Sequence, residues 1–301
     1  MESNEYHNPV LLKECIDGLR IVSGGSYVDA TFGGGGHSRE ILRNLKQGKL
    51  FGFDQDEDAM ANGIEDERFE LVPENFKFIT EALKSRGIEK VDGILADLGV
   101  SSHQFDTAGR GFSIRFVSEL DMRMDRKKVM TAAKVLNELA EEDLKMIFRE
   151  YGEIENAGQL ARVIFSERKK KKISTVSELK EAIKQCVRKG KENQYLAQVF
   201  QALRIEVNDE LNALKRLLEQ SAKLIRPGGR LVVIAYHSLE DRPVKNFIRD
   251  GKFEGDAETD VFGNRIVPFK AINKKPIEPT AEEIQKNSRA RSAKLRVAEK
   301  T

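Results

Sequence analysis

Over the first hundred residues, short hydrophobic runs alternate with segments whose apolar residues have helical spacing. The runs are rich in Val, Ile, Leu and Phe and end at turn residues, which predicts strands at 26–32, 49–54, 69–72 and 91–98. The segments between them, 37–46, 56–66 and 75–86, have the spacing of helices. This β-α-β-α-β-α-β order predicts a parallel sheet with helices on both faces.

The alternation stops after the fourth predicted strand. From about 108 to 212 no convincing strand pattern occurs, and the segments 135–152, 176–190 and 198–225 have helical spacing. At LIRPGGRLVVIAYHS (224–238) a Pro-Gly-Gly turn and a strong strand are predicted, with weaker strands near 264–270 and 293–298. The pattern predicts a discontinuous α/β domain, 1–107 with 213–301, interrupted by a helical insert at 108–212.

Composition narrows the class of protein only slightly. The chain is 40% hydrophobic and 33% charged, which is typical of a globular protein. Its hydrophobic runs are shorter than the roughly 20 residues that span a bilayer, and MESNEYHNPVLLKE lacks the layout of a signal peptide. Cys15 and Cys186 lie far apart without CxxC spacing, which argues against structural zinc and disulfides. We therefore expect a cytoplasmic protein without a metal.

The segment VDATFGGGGHSREIL (28–42) predicts a strand, a glycine loop and a helix. A Walker phosphate loop ends in Gly-Lys-Ser/Thr, but this loop ends in Gly-His-Ser. The dinucleotide pattern G-x-G-x-x-G is met at Gly33 and Gly35, while Ser38 occupies the third position. The loop alone is therefore a weak signal that a tight turn would also explain.

Asp54 ends the second predicted strand about twenty residues beyond the loop, where an acidic side chain can bind both hydroxyls of an adenosine ribose. The structural alternative is a helix N-cap, which Asp56 could supply equally well. S-adenosylmethionine has no pyrophosphate, so the loop need only surround its amino-acid moiety. A loop that binds this donor can therefore lack the third glycine more readily than one that binds NAD. IRPGGRLVVI (225–234) also resembles the approach to the fifth strand of class I methyltransferases. Together these features favour a methyltransferase over a dehydrogenase.

Several longer motifs occur in one order along the chain. They are GGGGHS (33–38), ADLGVSSHQFDTAGRGFS (96–113), LDMRMD (120–125), FQALRIEVNDEL (200–211), YHSLEDR (236–242) and SRARSAKLR (288–296). With HNPVLL (7–12), they make the chain resemble the bacterial ribosomal RNA cytosine-N4 methyltransferase family, called MraW or RsmH. The resemblance implies a class I S-adenosylmethionine-dependent methyltransferase, Rossmann-like with a mainly parallel sheet, and an all-helical inserted domain. It also implies methylation of N4 of a cytidine in the decoding region of 16S ribosomal RNA.

The resemblance implies that S-adenosylmethionine is held by residues of the loop and of the strand ends. These are Gly35, Gly36, His37, Asp54, Phe76, Asp97 and Gln104. Backbone N–H groups at a helix N-terminus can bind the methionine carboxylate, and Phe76 can pack on adenine, although most phenylalanines in such a position are ordinary core. Asp97 ends a predicted strand, where open α/β sheets bind ligands.

An exocyclic amino group is a poor nucleophile, so the enzyme has to hold its hydrogens with acceptors and align it with the donor methyl. Asp97 is the predicted acceptor and His237 a second candidate, while Ser238 with Asp241 offers a helix cap as the structural alternative. Amino methyltransferases usually carry the tetrad Asp/Ser/Asn-Pro-Pro-aromatic after the fourth strand. In this chain the corresponding residues are Asp97-Leu98-Gly99-Val100. The base-stacking residue stays open among Phe105, Phe112 and Tyr236, as does whether Asp97 serves donor, substrate or both.

Two basic segments are candidates for RNA binding. Residues 162–191 contain eleven Lys/Arg against three Glu, and residues 286–301 contain six Lys/Arg against one Glu. The predicted contacts are Arg168, Lys169, Lys170, Lys171, Lys172, Arg289 and Arg291, with a solvated face as the alternative. The predicted partner is 16S rRNA in the small subunit or a late precursor, with the cytidine flipped out. Two alternative functions remain open beside a ribosomal RNA methyltransferase: a DNA amino methyltransferase and a non-catalytic RNA-binding protein.

Overall fold

The structure is a computed structural model that describes residues 9–301. The chain divides into two compact units. One comprises the chain up to Gly99 together with Leu211–Thr301, and the other is Val100–Glu210. The predicted insert, 108–212, therefore begins later than the second unit does.

The helices and strands are as follows. The strands are Ser26–Asp29 (β1), Lys49–Phe53 (β2), Phe69–Val72 (β3), Val91–Asp97 (β4), Ile225–Ala235 (β5), Glu258–Thr259 (β6), Arg265–Ile266 (β7), Phe269–Ala271 (β8) and Lys294–Lys300 (β9). The α-helices are Leu12–Leu19 (α1), Gly36–Asn44 (α2), Ile79–Lys84 (α3), Ser102–Asp106 (α4), Ala132–Glu138 (α5), Glu141–Glu150 (α6), Ala157–Lys170 (α7), Val176–Ile183 (α8), Glu192–Asn208 (α9), Glu210–Leu224 (α10), Ser238–Asp250 (α11) and Ala281–Lys286 (α12). Short 3₁₀ helices span Glu57–Asn62, Phe76–Phe78, Ala108–Arg110, Lys184–Cys186 and Ser288–Ser292.

The first unit is built on a seven-stranded sheet in the order β3-β2-β1-β4-β5-β9-β8. The first five strands in that order are parallel, and β9 pairs antiparallel with both of its neighbours. This confirms the predicted mainly parallel sheet. Alternate residues of the central strands enter opposite cores: Ile94 belongs to one apolar cluster and Leu95 to the other.

The Pro-Gly-Gly segment departs from the predicted turn. β5 begins at Ile225 and continues through it as a bulge: β4 advances from Val91 to Gly93 while β5 advances from Ile225 to Arg230. A Cβ on Gly229 would lie 2.7 Å from the Asp92 carbonyl oxygen, so only glycine fits this close approach.

Two of the predicted helices of the first unit are shorter than expected. Segment 56–66 forms only the 3₁₀ helix Glu57–Asn62, in which Ala59 is the buried residue, so little apolar surface supports a longer helix. Segment 75–86 forms a 3₁₀ turn followed by the six-residue α3. The predicted strand at 264–270 divides into β7 and β8, and Pro268, which has no N–H to donate to a ladder, lies between them.

The second unit is helical around its own apolar core, as the pattern predicted. Its helices are more broken than expected, because 135–152 contains the end of α5 and the whole of α6, which are separate helices. Similarly, Asp209 adopts a left-handed conformation (φ 57°) that ends α9 before α10 begins. The sequence pattern did not single out α7. Within residues 9–301, no helix combines the length and the apolar character needed to cross a bilayer.

Candidate active site

The loop between β1 and α2 contacts the carboxyl ends of β4 and β2, the two strands that flank β1. Its backbone N–H groups at Ala30 and Phe32 donate to the carbonyls of Leu95 and Phe53. Gly35 (φ 74°) occupies the N-cap of α2 without a side-chain cap. The first N–H groups of α2 therefore lack a capping side chain, as in helices that bind anions.

Packing within the chain also explains two of the glycines. A Cβ on Gly36 would lie 2.3 Å from Cγ of Pro9, and one on Gly35 would lie 2.9 Å from the ring of Phe32. Both predicted donor-binding glycines are thus required by the loop itself, and a ligand need not be invoked for their lack of a side chain.

Asp54 follows β2 and fixes the loop. Its Oδ2 accepts a hydrogen bond from the Gly33 N–H at 2.8 Å, and its Oδ1 accepts one from the Asp56 N–H at 2.8 Å. Burial raises the pKa of the Asp54 carboxyl to about 6. The helix-cap alternative belongs to Asp56, whose side chain accepts from the Asp58 N–H.

Phe76 lies half-buried in the 3₁₀ turn after β3 and packs partly against the core. The preceding residue, Asn75, donates from Nδ2 to Oε1 of Gln55 at 2.8 Å. Because Gln55 follows Asp54, this bond ties the turn that holds Phe76 to the segment that holds the carboxylate. The two residues predicted to hold the adenosine thus lie on linked turns.

Asp97 ends β4 and is hydrogen-bonded to two groups outside its own strand. Its Oδ1 accepts from the hydroxyl of Tyr236 at 2.7 Å, while its backbone N–H donates to Oγ1 of Thr31 at 2.7 Å. Burial raises the pKa of the Asp97 carboxyl to about 6. The side chain is nevertheless 23% exposed, so a ligand can reach it.

The side chain of His37 is buried beneath the loop. Its Nε2 lies 3.1 Å from the Val10 carbonyl oxygen. Since a carbonyl only accepts, Nε2 carries the proton, and Nδ1 lies 3.9 Å from Oδ2 of Asp97. The sequence pattern pointed only to the backbone N–H of His37. It missed the bond of the side chain to the Val10 carbonyl and its position beside Asp97.

His237 follows β5 and occupies the N-cap position of α11. Its Nε2 lies 3.1 Å from Oε1 of the buried Glu240, which also accepts the Tyr236 N–H. The predicted cap of Ser238 with Asp241 is wrong, because His237 and not Ser238 is the N-cap residue, and Asp241 forms a two-bond ion pair with Arg296 at 2.6 and 2.9 Å. β5 pairs with β4, so His237 and Asp97 follow neighbouring strands.

Asp29, at the end of β1, was not predicted as part of this group. It is 1% exposed and accepts hydrogen bonds from Oγ of Ser38 at 2.7 Å and from the Thr31 N–H. Burial raises the pKa of its carboxyl. A signal existed in the sequence, since β1 ends in Asp as β4 does and an Asp follows β2 directly.

Gln104 belongs to the helical unit and caps α4. Its side-chain oxygen accepts the Ser101 N–H at 3.1 Å, and its own N–H donates to the Ser101 hydroxyl at 3.2 Å. This capping box gives Gln104 a structural role, and its predicted donor contact stays a prediction. Among the stacking candidates, Phe112 is a core residue of this unit, and Phe105 lies beside Arg115 at 5.2 Å.

Several cations of the basic segment have partners in the same unit. Arg168 donates to the Leu136 and Leu139 carbonyls at 2.8 and 2.7 Å, which closes the end of α5 and gives this arginine a structural role. Lys170 pairs with Glu167 at 2.7 Å and Lys171 with Glu178 at 2.8 Å. Lys169 lies over the Phe165 ring, and Lys172 is exposed.

The C-terminal basic residues lie in the first unit. Arg291 is exposed and Arg289 half-buried, both in the 3₁₀ helix before β9. RNA binding by these residues stays a prediction, as it does for the basic segment of the helical unit.

Comparison with known proteins decides the family. A sequence model of the MraW methylase family matches residues 4–301. The chain belongs to this family. Proteins named ribosomal RNA small subunit methyltransferase H from Flavobacterium johnsoniae and Christiangramia forsetii are 59% and 57% identical to it over 297 residues, covering 98% of this chain and 98% of each relative. A crystal structure of an rRNA methylase from Streptococcus thermophilus aligns with a TM-score of 0.44 at 12% identity, covering 98% of this chain and 99% of that one.

The chain has the fold of class I S-adenosylmethionine-dependent methyltransferases, as the sequence predicted. Its parallel strands end in a group of carboxylates with raised pKa values, which lies beside a helix N-terminus. Within the described residues, no group of three or more His, Cys, Asp or Glu could hold a metal ion. The carboxylates at these strand ends can accept hydrogen bonds and protons.

Proposed function

We propose that this protein methylates N4 of a cytidine in the decoding region of 16S ribosomal RNA, using S-adenosylmethionine as the methyl donor. The substrate class is supported by the full-length relatives, which are named ribosomal RNA small subunit methyltransferase H. The amino-group assignment rests on one observation, the accessible Asp97 carboxylate at the end of β4. The site of action is then the cytoplasm.

The loop and strand ends suit the donor. The uncapped N-terminus of α2 offers N–H groups to a carboxylate, in line with the predicted contacts of Gly35, Gly36 and His37. Each oxygen of Asp54 accepts one backbone N–H, and a carboxylate oxygen can accept two bonds, so both ribose hydroxyls can be held. Phe76 supplies an aromatic face on a turn linked to Asp54.

Asp97 accepts the N4 hydrogens of the cytosine and thereby orients the nitrogen lone pair. The donor, when bound, supplies an electrophilic methyl group on a sulfonium. Direct transfer of that methyl to N4 would break the carbon–sulfur bond as the carbon–nitrogen bond forms. Both cysteines of the chain are buried, and the pKa of each thiol is raised, so neither is suited to act as a covalent nucleophile.

The methylated amine then loses a proton. Once N4 carries the methyl group and a positive charge, it is a strong acid, so a weak proton acceptor suffices. A carboxyl with a pKa of about 6 at Asp97 can accept that proton and release it to solvent near neutral pH. His237, which lies 3.1 Å from Glu240, is the second candidate acceptor.

The experiment offers labelled S-adenosylmethionine with immature small subunits, free 16S RNA or double-stranded DNA. Label in N4-methylcytidine after digestion of the RNA is the expected result. Label in DNA alone would replace the proposal with a DNA amino methyltransferase. Donor binding without transfer to any substrate would indicate a non-catalytic RNA-binding protein.

A further inference from the structure

Tyr236 joins the end of β5 to the end of β4. Its hydroxyl donates to Oδ1 of Asp97 at 2.7 Å, and its backbone N–H donates to Oε2 of Glu240 at 2.8 Å. Gly99 passes beside the ring, since a Cβ placed there would lie 3.5 Å from the ring carbon Cδ2. Tyr236 is therefore held both by its backbone N–H and by its side-chain hydroxyl.

We propose that Tyr236 is a positioning residue for methyl transfer: its hydroxyl engages Oδ1 of Asp97 and leaves Oδ2 as the acceptor for the substrate amino group. The inference rests on the proposed function, because it takes Asp97 as the group that orients N4. His37 does not replace this role, since its Nδ1 lies 3.9 Å from Oδ2, beyond hydrogen-bond distance.

A phenol suits this position better than a cation does. A lysine or arginine would also hold the carboxylate, but its positive charge would oppose the approach of a sulfonium. A tyrosine hydroxyl donates one hydrogen bond and brings no charge. Asp97 thus keeps its negative charge available to a cationic donor and to the positive charge that develops on the amine.

The surroundings make this hydrogen bond important for the charge of Asp97. Burial raises the pKa of Asp97 most, and the acidic groups of Asp29 on β1 and Glu240 on α11 raise it further, while His37 on α2 and the Tyr236 hydrogen bond lower it. The Cys15 thiol on α1 also faces this carboxyl. Removing the hydroxyl therefore moves the pKa of Asp97 upward from about 6.

The test is the pH dependence of kcat for Tyr236→Phe, measured from pH 5 to pH 9 at saturating donor and RNA. The acceptor acts when ionised, so activity is lost as the pH falls through the pKa of Asp97. The variant is expected to move this acidic limb upward by about one pH unit, the size expected for losing one hydrogen bond to a charged group. A loss of kcat that is equal at every pH would overturn the proposal, because packing alone would explain it.

Tyr27→Phe is the matched control. The Tyr27 hydroxyl is also buried in the sheet unit, but it accepts the Val22 N–H at 2.8 Å and has no bond to Asp97. A wild-type pH profile is expected for this variant, and an upward shift equal to that of Tyr236→Phe would overturn the proposal.

Asp97→Asn separates the inference from the function on which it rests. If Asp97→Asn is inactive while Tyr236→Phe keeps the wild-type profile, the positioning role fails and the function stands. If Asp97→Asn retains full activity, the amino-group role of Asp97 fails and the inference falls with it.

Discussion

The strand ends of the first unit and the basic segment of the second carry opposite charges, and they are built in opposite ways. Asp54 and Asp97 are largely buried, each accepts a hydrogen bond from another segment, and burial raises the pKa of both carboxyls to about 6. Lys169–Lys172 are exposed. Three of these lysines contact a glutamate or an aromatic ring on the same helix or the next one.

Roles can be assigned from the structure more sharply to the carboxylates than to the lysines. A carboxylate held by fixed donors has a defined direction and an altered pKa, so a change of one atom has a predictable effect. An exposed lysine acts mainly as a point charge on a flexible stem, and its effect depends on the number of phosphates nearby and on salt. Substitutions in the two regions should therefore change different properties of the protein.

The largest effect is expected at Asp97. Asp97→Asn keeps the shape but replaces a charged acceptor with an amide, so turnover should fall by ~10² or more. RNA affinity should stay near wild type, because the exposed lysines are untouched. Single-turnover methylation and filter binding of RNA measure the two quantities. Equal losses in both would contradict the separation of roles.

Asp54→Ala should weaken donor binding by about 1.5–3 kcal/mol, the scale of removing hydrogen bonds to a charged group. Calorimetry with S-adenosylmethionine measures it, and circular dichroism checks the fold, because Asp54 also holds the N–H groups of Gly33 and Asp56.

Asp92→Ala is the control for Asp54. Asp92 lies near the amino end of β4, where its side chain accepts the Ser26 N–H and forms an ion pair with Arg226. Its substitution therefore also removes a carboxylate that has both a backbone and a side-chain partner. Donor affinity should be unchanged in this variant. An unchanged affinity in Asp54→Ala would remove Asp54 from the donor site.

Much of the first unit could be predicted from the sequence, because the parallel strands are short runs rich in apolar residues and an Asp follows or ends several of them. Two further features could not be predicted. The bond between Tyr236 and Asp97 joins residues 139 positions apart, and only the pairing of β4 with β5 brings them together. Arg168 appeared as one cation in a basic run, but its bonds to the α5 carbonyls depend on how α7 packs.

A smaller effect on binding is expected from the lysines. Replacing Lys169, Lys170, Lys171 and Lys172 with Gln should weaken RNA binding and flatten its dependence on log salt by roughly 0.9 for each phosphate that the variant no longer neutralises. Donor affinity should not change. Gln at Lys46 and Lys84, exposed lysines that precede β2 and β4 at the opposite edge of the sheet from Asp97, gives the control.

The basic segment can be dissected into two pairs of lysines. Lys170 and Lys171 form ion pairs with glutamates, whereas Lys169 and Lys172 form none within the part of the chain that the structure describes. Because a paired lysine contributes less to binding phosphate, Lys169→Gln with Lys172→Gln should flatten the salt dependence more than the other double variant. An unchanged slope in both double variants would make the segment a solvated face.

The smallest effect is expected from pH, which distinguishes the two regions without any mutation. The pKa of Asp54 is raised to about 6, so the carboxylate is ionised above that pH and protonated below it. Binding of the ribose hydroxyls favours the ionised form, hence donor affinity should fall about tenfold between pH 7 and pH 5, as one carboxyl titrates. Lysines keep their charge over this range, so the affinity that they contribute to RNA should not change.

Calorimetry with the donor gives the first quantity. The second is the difference in RNA affinity between wild type and the four-lysine variant at each pH. In Asp54→Asn the donor affinity should be lower and less dependent on pH, and an unaltered pH dependence there would assign the titration to another group.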